Sequence, residues 1–252
     1  MIRVVHYAFV FLLLLSAQSL FSQQEILTAG YENGTNFNIL YRTSRMGKVF
    51  VTPRGWGFTY RTVKQQTSKK SYFYEFDLQN LKHPKEKKVV GQATFRKRYK
   101  YGKLNSVLEL RSAFGYQHVI ARKADSKAVE VRYAYSIGPS IALVKPYYLT
   151  ARDRNGDDSL MIFDAKTFNA AALVVGRSAF GNGLDQLRIL PGASARFNLS
   201  FEYAPYTNLV RAIETGICLD FYPQSIALMA NNPAERFIIT FNVGFVFGRK
   251  WF

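Results

Sequence analysis

Along most of the chain, apolar and polar residues alternate one by one. Phe237, Ile239, Phe241, Val243, Phe245 and Phe247 share one face of a final segment, opposed by Ile238, Thr240, Asn242, Gly244, Val246 and Gly248. The segment before it sets Ile213, Thr215, Ile217, Leu219 and Phe221 against Glu214, Gly216, Cys218 and Asp220. Ala195 to Tyr203, Val129 to Ile137, Leu104 to Tyr116, Tyr72 to Leu78 and Trp56 to Tyr60 repeat the pattern. A period of two is the signature of β-strands that separate two environments.

A further strand falls within residues 36–52, with a bulge expected near Gly47, before Pro53-Arg54-Gly55 turns the chain into the next. A turn at Ser44 to Gly47 is the alternative, and either parse gives eight strands. The connections have an order of their own. Those near residues 65–70, 118–127 and Pro205 are short or moderate, whereas those at about 80–102 and 144–191 are long and that near 223–235 is intermediate. Short turns therefore gather at one end and long loops at the other, as in outer-membrane barrels.

Which face looks inward follows from charge. The less greasy face carries Arg61, Glu75, Asp77, Glu109, Arg111, Glu130, Arg132, Arg196, Glu202, Glu214 and Asp220. A soluble β-sandwich would have to bury that face in a dry core, at a prohibitive desolvation cost. A membrane barrel has the opposite arrangement, with lipid outside and a polar interior. The expected fold is all-β: an eight-stranded antiparallel transmembrane β-barrel with long extracellular loops. Eight strands leave an interior that side chains fill. The eleven charged residues are thus expected to form an ion-pair network that plugs the lumen; a proton or ion path and a catalytic carboxylate pair are the sharper alternatives. No spacing selects two of the acids as a catalytic pair.

Composition adds an address. Arg3, the apolar run Ala8 to Leu15 and Ser22 before Gln23-Gln24 read as a cleaved secretory signal. The run is too short to span comfortably, since a membrane helix needs about 20 apolar residues. The expected organisation is a signal peptide at 1–22, an N-terminal periplasmic segment at 23–35 and the barrel at 36–252. A single cysteine, Cys218, excludes an intrachain disulfide and cysteine-rich metal sites. With 21 Phe and 16 Tyr, the chain has the aromatic supply that barrel girdles use. The formal charge is +17, and loss of Arg3 with the signal leaves +16, which suits an acidic partner.

Much of that charge is concentrated in one loop, where Lys82, Lys85, Lys87, Lys88, Arg96, Lys97, Arg98, Lys100 and Lys103 are opposed only by Glu86. An extracellular loop of this kind fits the phosphates of lipopolysaccharide, or else is simply solvated. Nucleic acid is not expected as a partner, because of the location. Asp153-Arg154-Asn155-Gly156-Asp157-Asp158 is faintly like a calcium loop, but Asp164 stands where a glutamate is needed. A plain turn is the expectation, and no metal or cofactor is expected. The apolar stretches Ala170 to Val175 and Leu187 to Leu190 suit packing over the barrel mouth or on a neighbour. His83 and His118 make no ligand pair. An omptin-like protease would need a larger barrel, and a palmitoyltransferase-like enzyme would have to pair His83 with Ser71 or Ser106.

Several phrases resemble a family of small outer-membrane β-barrel proteins of Bacteroidota. They are Gly55-Trp56-Gly57, His83-Pro84-Lys85-Glu86, Tyr101-Gly102-Lys103-Leu104-Asn105, Lys145-Pro146, Phe201-Glu202-Tyr203, Ala212-Ile213-Glu214 and Phe247-Gly248-Arg249-Lys250-Trp251. They span most of the chain beyond residue 22, and the Ser22-Gln23-Gln24 junction resembles signal-peptide ends of that phylum. The resemblance implies a fold and a phylum and transfers no catalytic residue. The expected role is a non-enzymatic accessory subunit of a larger outer-membrane complex for barrel assembly, secretion or uptake, in contact with lipid, lipopolysaccharide and other outer-membrane proteins. A narrow channel or a small-molecule or lipid binder is the second reading, and a lipid-modifying enzyme the third.

Overall fold

A computed structural model describes residues 42–67, 69–90, 98–122, 128–152, 157–163, 173–204, 209–230 and 232–251. The expected signal peptide and the segment at 23–35 lie outside the described residues. In chain order the strands are β1 (Thr43–Thr52), β2 (Gly55–Gln65), β3 (Lys70–Leu81), β4 (Lys88–Val90), β5 (Arg98–Lys100), β6 (Asn105–Ala121) and β7 (Glu130–Pro146). There follow β8 (Tyr148–Arg152), β9 (Asp158–Ile162), β10 (Leu173–Arg177), β11 (Arg188–Glu202), β12 (Leu209–Ile226) and β13 (Glu235–Trp251).

Eight of these close a barrel in the order β1-β13-β12-β11-β7-β6-β3-β2, every neighbour antiparallel. Closure leaves no edge strand, so the barrel's backbone groups pair within the wall, as lipid requires. The outward apolar residues of β13 run from Phe237 to Phe247, and all six are exposed. Ten residue steps of about 3.4 Å, tilted by roughly 40°, span about 26 Å, close to the apolar band of outer-membrane barrels. The same face continues through Ile213, Ile217, Leu219 and Phe221, and through Trp56, Phe58, Tyr60, Tyr74 and Phe76. The barrel is built to stand in lipid.

Two expectations about the wall are corrected. β1 pairs with β2 and β13 without a register shift, so there is no bulge at Gly47 and no turn at Ser44 to Gly47. Gly47 instead lies directly opposite Phe247 and Tyr60, whose side chains share its face. A shift does occur between Val119 and Ala121, where β6 nears its short turn. The turn at Pro53-Arg54-Gly55 stands as expected. Gly55 has φ +147° there, and a β-carbon on it would collide with the Asn80 carbonyl of neighbouring β3.

The long connections are folded rather than bare. β4 pairs with β5, and β10-β8-β9 forms a three-stranded sheet. Tyr99, Tyr147, Leu149, Phe163 and Val174 make a second apolar core between these pieces. The Lys103–Met229 bridge and the Ala230 N–H donating to the Gly102 carbonyl (2.7 Å) tie this cap to the last long connection.

Candidate functional site: a sealed lumen under a folded basic cap

Inside the barrel, side chains are stacked in layers. Toward the cap, Leu81, Val107, Val144, Leu190, Ile226 and Ile238 form an apolar layer. Toward the short turns, Met46, Val63, Phe73, Ala134, Val210 and Val246 form another. Between them four cations meet five carboxylates: Lys48, Arg61, Arg111 and Arg196 against Glu75, Asp77, Glu109, Glu214 and Asp220.

The network has two lobes. In the first, Arg61 donates to Glu75 (2.9 Å) and Glu214 (2.8 Å), and Lys48 donates to Glu214 (2.7 Å). Arg196 reaches Glu75 (3.3 Å) and Asp77, while Thr59 donates to Asp77 and Ser136 to Glu75 (2.6 Å). In the second lobe, Arg111 holds both oxygens of Asp220 (2.6 and 2.7 Å), Glu109 (2.6 Å) and the Gln79 amide oxygen (2.9 Å). Tyr222 donates to the other Glu109 oxygen (3.1 Å), and the Cys218 thiol donates to Asp220 (3.6 Å). Charges buried this deeply persist only when paired and hydrogen-bonded. A void of about 10 Å³ beside Lys48, Thr59 and Arg61 has room for one water at most. The lumen is a filled core.

Not all the expected lumen residues join this network. Glu130, Arg132 and Glu202 lie beyond the lower apolar layer, at the short-turn mouth. There Arg132 bridges Glu130 (2.5 Å) and Glu202 (2.7 Å), and Lys250 also pairs with Glu202 (2.7 Å). The sequence reading missed Lys48, Lys250, Gln79 and Tyr222. No faces are assigned within residues 36–52 from the sequence, and the unbroken β1 puts Met46, Lys48 and Phe50 on the inner face. Parity along an unbroken strand would have found Lys48.

The basic loop is divided by the fold. Lys85, Lys87, Lys88 and Arg98 are exposed, Lys82 and Lys100 are half-buried, and Arg96 and Lys97 lie outside the described residues. Lys103 departs from the expected phosphate contact: it is 4% exposed and pairs with Glu86 (2.9 Å), with its ammonium over the Tyr147 ring. Glu86 also takes Lys100. Burial raises the Glu86 carboxyl, but the hydrogen bonds from Lys100 and Lys103 outweigh it and leave its pKa below the ordinary value. Burial pulls Lys103 down to about 8, with Glu86 opposing.

Both shifts tie the cap to pH. A depressed carboxylate stabilises the cap above its unfolded pKa, and this is lost as pH falls through the folded value. Between about 8 and the ordinary lysine range, an opened loop holds a proton that folded Lys103 has released, so rising pH tightens the cap. Glu86→Gln removes the partner of both lysines, at about 1.5 kcal/mol or more. Amide exchange over residues 98–104 is expected to quicken roughly tenfold at neutral pH. Unchanged exchange would show that this ion pair does not hold the cap.

His83 and Ser71 separate in space. Ser71 sits at the short-turn end, donating to the Gln117 carbonyl (3.4 Å), whereas His83 lies at the cap end, 3.8 Å from Glu235, which also pairs with Arg54 (2.6 Å). His83 and Ser71 therefore form no catalytic pair. His118 stacks on Tyr133. Asp158, at the end of the faintly calcium-loop-like stretch, is held by Arg152 (2.7 and 3.1 Å), and residues 153–156 lie outside the described residues. No metal-ligand cluster occurs among the described residues. Of the apolar stretches, Val174 enters the cap core, Leu190 enters the upper lumen layer and Ile189 faces outward.

No family profile and no curated protein matches the sequence. Among solved structures the chain is similar to Neisserial surface protein A, at 8% identity and a TM-score of 0.40, over 83% of this chain and 96% of that one. It is also similar to Ail, the attachment invasion locus protein of Yersinia pestis, at 8% identity and a TM-score of 0.40, over 84% of this chain and 100% of that one.

Proposed function

We propose that the protein is a non-enzymatic outer-membrane barrel of a Gram-negative bacterium that works by contact, as an accessory subunit of a larger membrane complex. The observation that carries this reading is the packed lumen, in which two apolar layers bracket a buried ion-pair network. Such an interior gives solute no path and leaves the cap and the outer wall as the surfaces able to act. The cap exposes apolar side chains beside its lysines, among them Val89 and Val90 on β4 and Leu160 and Ile162 on β9. Exposed apolar groups beside charge favour a protein partner. Lys85, Lys87, Lys88 and Arg98 suit the phosphates of lipopolysaccharide around it. The resemblance of several phrases to Bacteroidota barrels favours that phylum as the source.

A tagged copy extracted in mild detergent is expected to carry a stoichiometric outer-membrane partner, and the purified barrel to give no sustained steps in a planar bilayer. A clean monomer would overturn the subunit role. Steady single-channel conductance lost on neutralising Arg111 and Arg132 would replace it with a narrow channel.

A further inference from the structure

Among the described residues, three arginines gather on the outer wall at the short-turn end of the β12-β13-β1 seam. Arg45 and Arg249 stand directly opposite each other in the register, and both are exposed on the lipid-facing side. Arg211, exposed on the same side, lies opposite Phe247, diagonal to Arg249. Like charges facing each other across a strand pair are destabilising. No carboxylate pairs with any of the three among the described residues, and the outward neighbours at this end, Thr43, Gly47, Leu209, Ile213 and Trp251, bring none.

The arginines border a groove of about 430 Å³ with an apolar floor, lined also by Gly47, Tyr60, Phe247 and Trp251. Gly47 presents no side chain, and the Phe247 ring lies down over it, where a β-carbon would come within 2.9 Å of the ring. Arg45 lies over the Trp251 ring, 5.8 Å from its centre, at the level where barrels place an aromatic girdle. From there Val49, Phe245 and Ile213 continue an exposed apolar track toward the middle of the wall. Guanidinium forks match phosphate oxygens. A cationic end joined to a greasy track is the complement of one kind of molecule.

We propose that Arg45, Arg211 and Arg249 hold the headgroup phosphate of an anionic glycerophospholipid in the leaflet at the short-turn end, its acyl chains lying along Val49, Phe245 and Ile213. This rests on the membrane-spanning reading of the barrel, and not on the contact role proposed for its cap. The bound anion offsets the repulsion between Arg45 and Arg249.

The chain has two tryptophans, so Trp56→Phe leaves Trp251 as the sole reporter, with all three arginines intact. Its fluorescence would be quenched by brominated phosphatidylglycerol or brominated phosphatidylcholine in mixed bilayers. A preference of at least about fivefold for the anionic lipid is expected, the scale of one interfacial arginine. Arg45→Gln with Arg249→Gln should reduce it to parity; should that pair fail to insert, Arg211→Gln alone should lower it. Inorganic phosphate should leave the preference unchanged. Parity in the Trp56→Phe barrel, or loss of the preference to free phosphate, overturns the lipid site. A barrel that prefers the anionic lipid yet has no protein partner overturns only the subunit role, and the reverse result only the lipid site.

Discussion

Arg111→Met is expected to destabilise the barrel by about 3–5 kcal/mol, the penalty for breaking a buried ion pair. The reason is local. Arg111 is 1% exposed and, among the described residues, is the only cation paired with Asp220 and Glu109, so its loss leaves two carboxylates in the core with Tyr222 and Cys218 as donors. Arg61→Met should cost less, although Arg61 also bridges two acids. Glu75 keeps Arg196 and Glu214 keeps Lys48 when Arg61 is gone. Urea unfolding in lipid vesicles, followed by tryptophan emission, would rank the pair. Equal losses would mean that the two lobes share charge as one unit, coupled through Cys218, which accepts from Arg196 (4.0 Å) and donates to Asp220 (3.6 Å).

Phe241→Arg tests the other side of the wall. Phe241 is near the middle of the apolar row on β13 and is 60% exposed. In a water-soluble protein an arginine there would be harmless. In a bilayer it meets hydrocarbon, and the expected cost is about 2–4 kcal/mol at the midplane, falling to about 0–1 kcal/mol near an interface. Phe237→Arg, at the cap end of the same row, should therefore be far milder. A series along Phe237, Ile239 and Phe241, each changed to arginine and refolded into vesicles, should trace that depth profile. A flat profile would remove the lipid from the description of this fold.

Strand number, the division of each strand into a lipid face and a lumen face, and the polarity of short and long connections were all legible in the sequence. A period of two survives any error in loop conformation, because pleating alone dictates it. Register was less secure, because one inserted residue flips every side chain that follows. The bulge expected at Gly47 left the faces of β1 unassigned, Lys48 among them, since Val49, Phe50 and Val51 in a row blur the alternation there. The sequence also shows which residues face inward, but says nothing of their depth. Glu130 and Glu214 sit on equivalent faces, yet one lies at the short-turn mouth and the other in the sealed centre.

Alternation by itself determined that this protein is a barrel with a charged interior and a greasy coat, since no other arrangement of those faces avoids burying bare charge or wetting rows of phenylalanine. Only the tertiary structure decided which cation meets which acid, that Lys103 turns inward to Glu86, and that Arg45, Arg211 and Arg249 gather on one patch of wall. Each of those depends on strands far apart in the chain being brought side by side. Contacts between β1 and β12–β13 are set by closure of the cylinder, and no local pattern in the sequence encodes the distance across it.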